Sequence, residues 1–170
     1  MILRIVTFIA LLLAALPRVD AQPVPENDMK ATYLYNFALY TEWPSEVGDE
    51  IHLCVVSEDQ FHDALHAIHG KNVNGRRLVV HHIGPGDDIG GCQILYVGES
   101  EAKYSQKMLD RATGLPILTI TEGVTPLYSG IMISLTVEDR RLAFQINASA
   151  ARRSKLTISS KLLRLARSVY

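Results

Sequence analysis

The sequence predicts a single α/β domain: a mostly parallel sheet flanked by helices, closed by a C-terminal antiparallel hairpin and a terminal helix. Three observations carry that expectation. Short β-branched runs alternate with stretches of helical periodicity from residue 27 to residue 121. After residue 130 the pattern changes to strict apolar–polar alternation, the signature of half-buried antiparallel strands. The last dozen residues then return to helical spacing. No internal repeat and no low-complexity tract interrupts the scheme.

The fold begins after a leader. Arg4 is followed by an unbroken apolar run, Ile5 to Leu16, and then by Val19-Asp20-Ala21. A charged start, a short apolar stretch and small residues at the minus-three and minus-one positions read as a secretory signal peptide cut after Ala21. The apolar run is too short to span a bilayer, and no cysteine stands at the cut to carry a lipid. The expectation is a leader over 1–21 and one exported, periplasmic domain over 22–170, a length that fills one core rather than two. The formal net charge of the chain is −1, and no basic tract points to nucleic acid.

Taken in order, Asn27 is placed to cap a first helix whose Tyr33, Leu34, Phe37 and Ala38 share one face, with Trp43-Pro44 ending it. Ile51–Val56 is a short apolar run that reads as a buried strand. Ser57 and Gln60 form a capping box that opens a second helix with Phe61, Leu65 and Ile68 inward, and Gly70 stops it. Arg77–Ile83 is the next strand, the glycine-rich stretch Gly84–Gly91 a loop, and Gln93–Val97 the third strand. Ser100 is expected to cap a helix reaching Ala112, with Tyr104, Met108 and Leu109 inward. Gly114-Leu115-Pro116 closes it before the strand Ile117–Thr121. Ile131–Val137 and Leu142–Asn147 form the hairpin around a turn at Glu138–Arg141. Ser159 or Ser160 caps the last helix, whose Leu162, Leu165, Ala166 and Val169 follow the i, i+3, i+4, i+7 stripe.

Two cysteines in an oxidising compartment, Cys54 and Cys92, read as a disulfide, the alternative being two separate buried thiols. The first and third strands of such a sheet can be neighbours, which brings Cys54, within the first, toward Cys92, just before the third.

Candidate chemistry is sparse. The glycines of Gly84–Gly91 do not follow the spacing of a dinucleotide loop, lead into a strand rather than a helix, and are mixed with two aspartates that would repel a phosphate. His62, His66 and His69 lie at i, i+4 and i+7, the best metal-ligand spacing in the chain. Each follows an apolar core position, so the row is placed on the wet flank of its helix and no metal is assigned to it. His52, His81 and His82 are read as structural. Hydrolase motifs are missing, and the sequon Asn147-Ala148-Ser149 is given no role. No catalytic residue and no cofactor are expected.

Lys30-Ala31-Thr32-Tyr33-Leu34-Tyr35-Asn36-Phe37, leading to Glu42-Trp43-Pro44, closely resembles the opening helix of the YfiR-like periplasmic regulators. Other blocks follow in the same order: Ile51–Val56, Gly75-Arg76-Arg77, Cys92-Gln93-Ile94-Leu95, Leu118-Thr119-Ile120 and Ile158–Ala166. Together they cover Met29 to Val169. The resemblance implies a non-catalytic protein that binds and represses an inner-membrane signalling partner, best known as a diguanylate cyclase of cyclic-di-GMP signalling and biofilm control, with sensor kinases among the other partners. It also implies that some relatives are homodimers, and that a second cysteine pair found in some is lacking here. The rival class is a periplasmic solute- or metal-binding protein. For the partner surface, the expected residues are Tyr35 and Tyr40 of the first helix and Arg164 and Arg167 of the last, where Lys161, Arg164 and Ser168 would form an outward basic stripe.

Overall fold

The computed structural model describes residues 24–56, 61–123, 130–138 and 141–170. The leader, the Ser57–Gln60 capping box and the centre of the hairpin turn lie outside them. Helix α1 (Glu26–Leu39) starts one residue before Asn27, after Pro25, whose fixed φ suits a helix start, and so Asn27 lies inside the first turn rather than at the cap. It ends at Leu39 because the chain turns at Tyr40 into β1 (Thr41–Glu42), which pairs with β9 (Thr157–Ile158) in a small antiparallel ribbon.

Among the described residues the main sheet has eight strands, in the order β10 (Ser168–Val169), β8 (Arg141–Ile146), β7 (Ile133–Glu138), β6 (Leu118–Glu122), β5 (Ile94–Val97), β2 (Glu50–Val56), β4 (Arg76–His82) and β3 (Asn72–Val73). Its parallel centre is β2, β4, β5 and β6, extended by β7. The antiparallel hairpin is β7 with β8, as the alternation predicts. A second hairpin, β3 with β4, turns at Asn74-Gly75, where both residues have positive φ. Asn-Gly is the pair best suited to such a turn.

Period-two alternation divides the core. Ile51, Leu53 and Val55 of β2 and Ile94 and Tyr96 of β5 face one apolar cluster, which contains Leu34, Phe37 and Ala38 of α1. Cys54, Val56, Leu95 and Val97 face a smaller one, covered by Met108 and Ala112 of α2 (Ala102–Ala112).

Three helical expectations are corrected. The described part of the second helix is a 3-10 turn, His62–Leu65, followed by turns to Gly70. Phe61, Leu65 and Ile68 are still buried, because residues three and four apart fall on one side of a tighter coil as well. Ser100 lies within a 3-10 turn, Glu99–Glu101, so α2 starts after Glu101 rather than at a serine cap, and Tyr104 is exposed while Met108 and Leu109 are buried. The terminal helix α4 (Ser160–Leu165) is capped by Ser159, whose hydroxyl accepts from the Lys161 N–H, but it lasts six residues. The chain then extends into β10 (Ser168–Val169), parallel to β8. Only Leu162 of the stripe is fully buried; Ala166 packs partly on the core, while Leu165 and Val169 are 69% and 46% exposed. The open edge of β8 wins the end of the chain: Arg167 N–H donates to Phe144 O and Tyr170 N–H to Ile146 O, both at 2.9 Å.

A short helix absent from the sequence reading, α3 (Ala148–Arg153), follows β8. Asn147 caps it, its side-chain oxygen accepting from the Ala150 N–H at 2.8 Å. The signal was an Asn before an alanine-rich run.

Candidate functional site: an aromatic groove and a histidine-lined face

The groove is built where α1, β8 and α4 meet. Tyr33 and Phe37 are one turn apart on α1, and Phe144 of β8 packs edge-on against both, with ring centroids 5.8 and 5.1 Å away. These rings, with Asn36, Tyr40, Leu142, Ala143, Leu162, Leu165 and Arg167, line an open cavity of about 410 Å³. Its floor is core, whereas Leu165 stands exposed at the lip. An aromatic floor with a few polar groups at the rim is what a binding pocket for an apolar anchor requires.

The expected surface residues are divided by the structure. Tyr40 and Arg167 line the groove. Tyr35 points elsewhere: its hydroxyl donates to Asn72 O at 2.7 Å, and the Lys71 ammonium lies 5.2 Å from its ring centre. Arg164 is exposed on α4, while Arg167 lies beyond the helix end, so Lys161, Arg164 and Ser168 do not form one helical stripe. Tyr33, Leu142 and Phe144 were missed as site residues. Their signal was the i, i+4 aromatic pair Tyr33–Phe37 facing the i, i+2 pair Leu142–Phe144.

On the other side of the sheet, Cys54 and Cys92 form the disulfide, with Cα atoms 5.8 Å apart. Strands β2 and β5 are neighbours, as the crossover argument expected. The loop before Cys92 holds its own aspartates: the Gly84 N–H donates to Asp87 Oδ2 at 2.7 Å and the Gly90 N–H to Asp88 Oδ1 at 3.1 Å.

The row His62, His66 and His69 was expected on the wet flank of its helix, and its described side chains, His66 and His69, are exposed. His69 turns its Nδ1 to accept the Val80 N–H at 3.2 Å. His52 and His81 meet, Nδ1 to Nε2, at 2.8 Å. They come from adjacent parallel strands, and the register that sets Cys54 opposite His81 places both rings on the disulfide's face. Partial burial, with His52 and His69 nearby, holds His81 below the usual histidine range, against the opposing pull of Glu50. Among the described residues no three His, Cys, Asp or Glu side chains form a metal-holding group.

The architecture is that of an α/β domain with an aromatic groove on one face of its sheet and a disulfide on the other. The family model described as YfiR/HmsC-like matches residues 27–167. The chain belongs to that family, one of periplasmic regulators. It is also similar in fold to the crystal structure of a conserved domain protein from Vibrio cholerae O1 biovar El Tor, at 13% identity and a TM-score of 0.58. The match covers 85% of this chain and 60% of that one, so the chain spans about three-fifths of the solved protein's length. The disulfide fits an exported protein, and among the described residues no helix is long and apolar enough to cross a membrane.

Proposed function

We propose that the protein is an exported, non-catalytic regulator that docks through its aromatic groove on the periplasmic part of an inner-membrane diguanylate cyclase and holds that enzyme inactive. The observation that carries this reading is the groove itself in a chain of this family: a ring-lined cavity with Leu165 exposed at its lip and Arg167 among its lining residues. Apolar anchors in such a cavity supply affinity, and a rim cation steers an acidic partner surface. A sensor kinase is the alternative partner, and a solute binder the alternative class.

The test is genetic and chemical together. Deleting the gene is expected to raise cellular cyclic-di-GMP and surface attachment, because loss of a repressor releases its enzyme. The wild-type chain returns both to baseline, whereas a Leu165→Asp chain exported at the same level does not. An unchanged or lowered cyclic-di-GMP level in the deletion strain overturns the cyclase reading.

A further inference from the structure

We propose that His52 and His81 form a two-imidazole site for a zinc-class divalent ion, on the face of the sheet that carries the Cys54–Cys92 disulfide.

The spacing of the two rings is the one such an ion needs. Their centroids are 5.1 Å apart and their planes are tilted by 31°. A tetrahedral ion bound by two imidazole nitrogens at about 2.0–2.1 Å holds the ring centres roughly 5.2 Å apart. With the rings in their present positions, His52 Nδ1 and His81 Nε2 point at each other and share a proton across 2.8 Å. Two nitrogens on one tetrahedral ion are roughly 3.3 Å apart. Side-chain rotations about χ1 and χ2 that open the 2.8 Å gap by that much let the ion take the place of the shared proton.

The second nitrogen of His52 supplies an independent argument. Its Nε2 faces Glu50 Oε2 at 3.6 Å, and that carboxylate is itself held by the Arg77 guanidinium, whose Nε donates to Oε1 at 3.1 Å. A carboxylate behind a histidine is the arrangement that orients metal-ligating imidazoles and raises their basicity.

The site also has room. Both rings line an open cavity of about 340 Å³ that Asp88 shares. Two protein nitrogens leave coordination positions for water, so the expected site is an accessible, exchangeable one rather than a buried structural centre. The proposal is independent of the groove, which lies on the opposite face.

Isothermal titration of the full exported protein, tag-free and with its disulfide intact, with zinc chloride near neutral pH tests it. One saturable equivalent per chain is expected. His52→Ala and His81→Ala each abolish it, Glu50→Gln weakens it about tenfold, and His66→Ala leaves it unchanged. Melting curves establish that each variant is folded; where an alanine variant is not, His81→Gln replaces it. Absence of saturable zinc binding, or binding that survives loss of His81, overturns the proposal.

Discussion

At the scale of single residues, Lys30 poses the sharpest energetic problem. It is a lysine of α1 with 5% of its surface exposed, facing Glu122 at the end of β6, which is equally buried. Burial works against the ammonium charge, yet its bonds to Glu122 and to Glu26, the latter at 2.6 Å, outweigh burial and hold its pKa above the usual lysine value. Tyr96 completes the network, its hydroxyl donating to Glu122 at 2.5 Å, and burial next to that carboxylate pushes its pKa well up. Lys30→Ala should therefore cost about 3–5 kcal/mol in urea denaturation, because it strands a buried carboxylate, while Lys30→Met combined with Glu122→Leu should cost far less. The pH sign follows from the two raised values. An unfolded chain gives up these protons near its ordinary pKa values while the folded one keeps them, so the contribution is complete below about pH 10 and is lost at higher pH. Melting scans from neutral to strongly alkaline pH should show a steep fall, made shallower by Tyr96→Phe. A flat alkaline profile would refute that assignment.

At the scale of elements, the strands were the most legible part of the sequence. Ile51–Val56 and Gln93–Val97 are apolar runs too short for helices, and each is a parallel strand within a residue or two of its expected limits. The end of the chain was less legible for a physical reason. Leu162, Leu165, Ala166 and Val169 fit a helix well, but periodicity does not reveal that β8 has an unpaired edge competing for the same backbone. The same blindness hid the groove, since Phe144 meets Tyr33 only after a strand and a helix more than a hundred residues apart pack together. Half the expected interface, Tyr40 and Arg167, reached it because the aromatic helix and the basic C-terminus happen to converge there. The short α4 makes a paired test decisive. Leu162→Asp buries a charge in the core and should destabilise by on the order of 3 kcal/mol. Leu165→Asp, three residues on, should change the melt by no more than about 0.5 kcal/mol. Equal losses in thermal denaturation would mean that the helix continues past Leu165 after all.

At the scale of the whole molecule, the sheet separates two apolar clusters. The larger apolar cluster joins α1 to the centre of the sheet and reaches the groove through Phe37, Phe144 and Leu162; the smaller one lies under α2 and contains the disulfide. The crosslink closes a loop with a sequence separation of 38, binding the segment just before β5 to β2 in the parallel sheet. Constraining the unfolded chain in this way contributes about 2–4 kcal/mol. None of that stabilisation passes through the groove. The Cys54→Ala, Cys92→Ala double variant should therefore be less stable by that amount in denaturant unfolding; if the proposed function holds, below its own melting temperature it should still lower cyclic-di-GMP in the deletion strain as far as the unmutated chain, once matched for folded protein. If repression instead fails while the domain is folded, the disulfide shapes the docking surface across the sheet, and the two faces are coupled rather than separate.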